Sequence, residues 1–265
     1  MSRLLILKLL GICLLVSELI FICLVIQGQD TSTNAVDTTT PDRPIYVMAL
    51  GDISCGSATQ PTATECQGGR VAEAVKRRRP DALLLLGDLQ YDRGELTEFQ
   101  LNFDRDWGTL RDISHAVPGN HEYATPKAEG YFTYWSGDKA SSNQAGERGK
   151  GYYSFDIGSW HFIALNSNCE HIGGCGEDLD QSKWLKNDIT VASNKCTIAF
   201  WHHPVFTVGR YSENRQQTIK GETFWRLLDG NAAIILNGHD HNYQRFEPQN
   251  LQGLPSPQSP RQFVV

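Results

Sequence analysis

The apolar positions of this 265-residue chain fall into short uninterrupted runs that each stop at a polar residue. Residues 82–86 read Ala-Leu-Leu-Leu-Leu and halt at Gly87-Asp88. A run of that length suits a strand buried on both faces. Its closing glycine permits a sharp turn, and Asp88 is delivered to the carboxyl edge of a sheet, where open α/β sheets place ligands. The design recurs. Residues 44–50 end in Gly51-Asp52, residues 113–118 in Gly119-Asn120-His121-Glu122, residues 196–201 in His202-His203-Pro204, and residues 232–237 in Gly238-His239-Asp240-His241. Helical patterns occupy 69–79, 97–112, 178–193 and 218–228, and residues 152–157 and 160–166 flank Gly158-Ser159 as a hairpin. Residues 243–247 suit a further strand, whereas 123–148, with Pro, Gly and paired aromatics, suit a long loop beside the site. Strands alternating with helices early and late, with a hairpin between, predict a mixed, largely parallel α/β sheet system covered by helices.

Composition changes this picture at two points. A net charge of −6 excludes a general nucleic-acid binder, which needs a basic face. The basic run Lys76-Arg77-Arg78-Arg79 ends a helix, where cations complement the dipole. The N-terminus differs in kind, because residues 4–26 are almost wholly apolar and preceded by Arg3. Residues 1–28 are expected to be a signal peptide or an N-terminal membrane anchor, and Glu18, costing about 2.5–3.5 kcal/mol at a bilayer centre, favours the cleaved signal. Residues 29–43 are polar and aperiodic, a flexible linker to a domain over 44–265. Either leader exports the domain, secreted, periplasmic or held on the outer membrane face. The cysteines fit export. Cys55 with Cys66, and Cys169 with Cys175, would each close a short surface loop. Cys196 begins an apolar strand as a buried thiol, with partner exchange left open.

The polar stops define the chemistry. Asp, Asn, His and Tyr gathered without a Cys-x-x-Cys pair suit hard or borderline metals. Asp52, Asp88, Tyr91, Asn120, His202, His239 and His241 are too many for one ion, which accepts about four to six donors. Two ions sharing a carboxylate solve the count, and such a pair polarises a phosphoryl oxygen and generates hydroxide at neutral pH.

The five blocks, with Gly87-Asp88-Leu89-Gln90-Tyr91 as the second, resemble those of the calcineurin-like metallophosphoesterases and, within them, the purple acid phosphatases. The resemblance runs from about Ile45 to the C-terminus and implies a four-layer α/β/β/α sandwich with a dimetal site at the strand ends. It implies that Asp52, Tyr91 and His241 bind the first metal, that Asp88 bridges, and that Asn120, His202 and His239 bind the second. His121 would contact the phosphate and assist protonation of the leaving group. Ser54 stands where the commoner pattern has histidine, and Tyr91 compensates. A phenol ionises only against a strong Lewis acid, which favours Fe(III) in the first site with Fe(II), Zn(II) or Mn(II) in the second. Glu122 is expected to orient His121 or a ligand imidazole.

The function implied is an exported phosphomonoesterase of the acid phosphatase type, acting on small phosphate esters through a metal-activated hydroxide. A phosphodiesterase or nucleotidase with the same metals is the nearest rival, and a non-catalytic binding protein on the same fold a more distant one. In sequences this one resembles, the strand ending in Phe263-Val264-Val265 continues into further sheet. The chain is therefore expected to be a fragment, with an open sheet edge beside His239 and His241.

Overall fold

A computed structural model describes residues 22–26 and 44–265, apart from Ala58, Gln60, Ala63 and Thr64. Two sheets pack face to face, each with helices on its outer side, in the expected four layers. In the first sheet the order is β1 (Ile22–Ile26), β2 (Ile45–Leu50), β3 (Ala82–Leu85) and β4 (Ser114–Ala116), with β2, β3 and β4 parallel. The second sheet runs β11 (Gln244–Arg245), β12 (Arg261–Val264), β10 (Ile234–Asn237), β9 (Cys196–Phe200), β8 (Trp160–Ala164) and β7 (Tyr153–Ile157). Its four central strands are parallel and both edges antiparallel. A small hairpin, β5 (Ser141–Ser142) with β6 (Gly146–Glu147), lies outside both.

The two-residue side-chain period assigns each strand residue to a layer. Leu83 and Leu85 face outward to the helices, and Ala82, Leu84 and Leu86 face the other sheet. Across that interface Phe162, Ile198, Phe200, Ile234 and Leu236 complete the central core, while Ile163, Ala199 and Ile235 face the opposite helical layer. This is why the runs carry no polar alternation: both faces of each strand are buried. The first helical layer holds α1 (Gly68–Arg78), the helical stretch 96–113 and α2 (Glu129–Ser136). The second holds α3 (Asp180–Val191) and α4 (Glu222–Leu228).

The structure corrects several expectations. Residues 123–148 are not one long loop, because α2 lies within them. Tyr131 and Trp135 are buried in the first helical layer, and Tyr134 stacks on Phe99 at 5.0 Å, so these aromatics form core. The helix is short and bracketed by Gly130 and Gly137, which masks its periodicity, yet burial of large rings outweighs weak propensity. The last residues of the apolar leader, Ile22–Ile26, pair antiparallel with β2. The rest of the proposed leader and the linker 29–43 lie outside the described residues, among which no helix is long and apolar enough to cross a membrane. The strand β10 is not left open, because β12 pairs with it in parallel and β11 closes over β12. Both expected disulfides are formed, Cys55–Cys66 and Cys169–Cys175, and Cys196 is a free but exposed thiol rather than a buried one.

His161, on β8, packs between two carboxylates far from the strand ends that carry the motifs. Its Nδ1 lies 2.8 Å from Asp156 Oδ1 on β7, and its Nε2 lies 2.8 Å from Asp188 Oδ2 on α3. Lys195 also pairs with Asp156, and Ser154 donates to Asp188. Burial opposes charge on the imidazole, but its hydrogen bonds to Asp188 and Asp156 outweigh that and raise its pKa. A raised folded pKa contributes stability that is full below the unfolded value of about 6.5 and is lost as pH rises through the folded value. The stability gap between the native chain and His161→Gln should therefore be larger at pH 5.5 than at pH 8.5 in urea unfolding. An equal gap at both pH values would show that folding does not raise the imidazole's pKa.

Candidate metal centre

All of the expected donors meet at one end of the sheets, on the loops that leave β2, β3, β4, β9 and β10. The loops are locked to each other before any side chain is considered. Asp52 N donates to Gly87 O and Gly238 N donates to His202 O, both at 3.0 Å. Glycine serves here for close approach, and at Gly87 (φ 89°) for turning as well. A Cβ on Gly119 would lie 2.1 Å from Asp88 Oδ1, and one on Gly87 would lie 2.6 Å from His202 Nδ1. Four donor-bearing residues have left-handed backbone: Asp52 (φ 58°), Asp88 (49°), His239 (76°) and His241 (52°). Such conformations cost about 1–3 kcal/mol each in non-glycine residues and persist only where the surroundings enforce them.

Glu122 is the main enforcer. It is wholly buried and accepts hydrogen bonds from Gly119 N at 2.7 Å, Asp88 N and Leu89 N at 2.9 Å, and Gln90 N at 3.3 Å. The expectation that it orients an imidazole is replaced by this one: it ties the Asp88 loop to the Asn120 loop through backbone. Burial and then the Asp88 carboxylate push its pKa up to about 8, while the donated N–H groups act in the opposite sense.

Each site carboxylate divides its oxygens. Asp88 Oδ1 accepts His121 N–H at 2.8 Å, and Asp52 Oδ2 accepts His239 N–H at 2.8 Å. The remaining oxygens face two groups of donors. In the first, the Tyr91 hydroxyl lies 2.9 Å from Asp52 Oδ1, 2.9 Å from His241 Nε2 and 3.3 Å from Asp88 Oδ2. In the second, His202 Nε2 lies 3.2 Å from Asp88 Oδ2, 3.2 Å from Asn120 Oδ1 and 3.1 Å from His239 Nδ1. Atoms bound at about 2.0–2.2 Å to a shared cation stand roughly 3 Å apart, the spacing in both groups. Asp88 Oδ2 belongs to both. His202 Nδ1–H donates to the Leu86 carbonyl at 2.8 Å, which turns Nε2 inward toward the other donors.

The electrostatics fit a pair of cations. Burial opposes charge on His202, yet Asp88 raises its pKa to about 9. Burial likewise opposes charge on Asp88, yet His202 and His121 lower its pKa to about 2. Burial, then the charge on His202, lowers the pKa of His239 to about 2. Burial and the Asp52 and Asp88 carboxylates drive the Tyr91 phenol far above its usual range. A proton on His202 thus holds the place that a cation would fill, and only a strong Lewis acid would ionise Tyr91.

His121 reaches over the first group, its ring 4.4 Å from that of Tyr91 and its Nε2 3.9 Å from Asp88 Oδ2. Its Nδ1 meets the Asp92 carbonyl at 2.5 Å, so Nδ1 carries a proton and Nε2 faces the cleft.

Several residues at the site escaped the sequence reading. Asp240, inside the last block, accepts from Gln244 Nε2 at 2.7 Å, from the Thr207 hydroxyl and from Tyr211 N, and so pins the 207–211 loop. Tyr211 then stacks on His239 at 4.1 Å, with the Arg210 guanidinium over the tyrosine ring. The one local signal was Gly209, where a Cβ would lie 2.0 Å from Asp240 Oδ2. His203, already part of the fourth block in the sequence, is wholly buried beside His202 and His239, with Lys220 against it.

The comparisons with known proteins agree with this geometry. The calcineurin-like phosphoesterase family matches residues 37–243. Purple acid phosphatase 15 of Arabidopsis thaliana is 26% identical over 63% of this chain and 36% of its own length. A 3',5'-cyclic-nucleotide phosphodiesterase of Nostoc is 28% identical over 73% of this chain and 68% of its own. The solved purple acid phosphatase of yellow lupin (Lupinus luteus) seeds shares the fold at a TM-score of 0.63 and 14% identity, covering 84% of this chain and 46% of that one. The chain thus spans about a third to a half of the plant phosphatases it matches. With its five blocks at one end of the two sheets and the family match across most of its length, the chain belongs to the calcineurin-like phosphoesterases.

Proposed function

We propose that this chain is an exported dimetal phosphoesterase acting on small phosphate monoesters. One observation carries the reading: two groups of donors, each at cation spacing, share Asp88 Oδ2. Asp52, Tyr91 and His241 would hold the first ion, Asn120, His202 and His239 the second, with Asp88 between them. The phenol of Tyr91 favours Fe(III) in the first place, with Fe(II), Zn(II) or Mn(II) in the second. Bound there, the ions would polarise a phosphoryl oxygen and lower the pKa of water toward neutrality.

The chain's own groups supply the rest. Arg210 stands close enough to His241, and Lys220 to His239, for each charge to oppose protonation of that imidazole. The exposed Arg210 cation suits a dianionic monoester better than a monoanionic diester, whereas the charge of Lys220 is paired with Glu170. His121 holds its Nδ1 proton on the Asp92 carbonyl, so in its imidazolium form Nε2 is the atom that gives a proton to the departing alkoxide. The two disulfides support an oxidising destination, which the leader over residues 1–28 and the linker over 29–43 would supply. The Nostoc relative, described as a cyclic-nucleotide phosphodiesterase, favours a second reading as a diesterase.

Turnover of p-nitrophenyl phosphate should exceed that of its bis ester. His121→Ala should keep its metals by elemental analysis but slow turnover about 10²–10⁴-fold. Faster bis-ester turnover would select the diesterase reading, and metal loss in the variant would make His121 a ligand.

Tyr91→Phe reports on the metal. Protein with a tyrosinate on Fe(III) should show a visible charge-transfer band that the variant lacks. A colourless, zinc-only and fully active protein would defeat the iron assignment.

A further inference from the structure

Three histidines, His202, His203 and His239, present ring nitrogens within 4.8 Å of one another, and all three are buried. By proximity alone they form a three-imidazole cation site. The hydrogen bonds of His203 argue otherwise. Its Nδ1 lies 2.8 Å from Ser167 Oγ, and its Nε2 lies 3.5 Å from Lys220 Nζ. An ammonium can only donate, so Nε2 is the acceptor and Nδ1–H donates to Ser167. Ser167 Oγ also accepts His203 N–H at 3.1 Å, which fixes ring and backbone together. Lys220 is held in place by Glu170 at 3.0 Å and is mostly buried. The His203 ring rests against His202 at 4.9 Å and His239 at 4.6 Å.

We propose that Lys220 and Ser167 reserve His203 as a non-coordinating imidazole, so that a cation in the second donor group draws on His202 and His239 but not on their neighbour. Lys220 is then a positioning residue that decides how many histidines the second ion sees. With the ammonium gone, the Nε2 lone pair is released and the local positive charge that repels a cation is lost. The inference rests on the ligand set proposed above.

The test is Co(II) substitution of the full chain, read by the hyperfine-shifted imidazole N–H signals of cobalt-bound histidines. Lys220→Met should add one such signal to the native pattern. Lys220→Arg, which keeps a charged donor, should not add it, and the double variant Lys220→Met, His203→Gln should lose it again. A Lys220→Met spectrum identical to the native one overturns the proposal alone. Loss of a signal from His203→Gln in the native background also overturns it, because His203 would already be a ligand. A native chain that takes up no Co(II) overturns the ligand set, and the proposal with it.

Discussion

The Glu122 carboxylate takes four backbone N–H groups from two loops about thirty residues apart in the chain. Each hydrogen bond to a charged group is worth about 1.5–3 kcal/mol, and together they counter part of the cost of burying the acid. The result is a fixed relation between the loop after β3 and the loop after β4. That relation aims Asp88, whose backbone is left-handed and whose Oδ1 takes His121 N–H. With Oδ1 occupied, Oδ2 is the oxygen left for both donor groups. Asp52 repeats the arrangement across the sheets, with Oδ2 on His239 N–H and Oδ1 toward Tyr91 and His241.

The architecture explains why such crowding is tolerated. Strands buried on both faces bring their ends to one edge, and the central core of Leu84, Phe162, Phe200 and Leu236 holds the two sheets in register. The strain of four left-handed donor residues is borne by this packing and by the backbone links between loops. Close approach at Gly87 and Gly119 then follows from geometry, because no side chain fits between Asp88 and the loops that clasp it.

That these residues meet was legible in the sequence because each follows within a few positions of an apolar run, and strand ends are local features. The four layers were legible for the same reason. What escaped depends on contacts between distant segments. Tyr211 reaches His239 through the Asp240 anchor, and nothing around Tyr211 marks it except Gly209. Lys220 meets His203 across a turn. The α2 aromatics read as loop because their partners, such as Phe99, come from the stretch 96–113. Glu122 was singled out, but its backbone partners could not be foreseen from composition, since an acid after histidine suggests an imidazole partner first.

In the function proposed above, two cations would share Asp88 Oδ2, one beside Tyr91 and one beside His202. Anomalous scattering from crystals of the metal-loaded protein, collected on both sides of the iron edge and of the second metal's edge, tests it most directly. The account predicts two peaks about 3.5–4 Å apart flanking Asp88 Oδ2, with iron on the Tyr91 side. A single peak, or one centred among His202, His203 and His239 without Asp88, would contradict it.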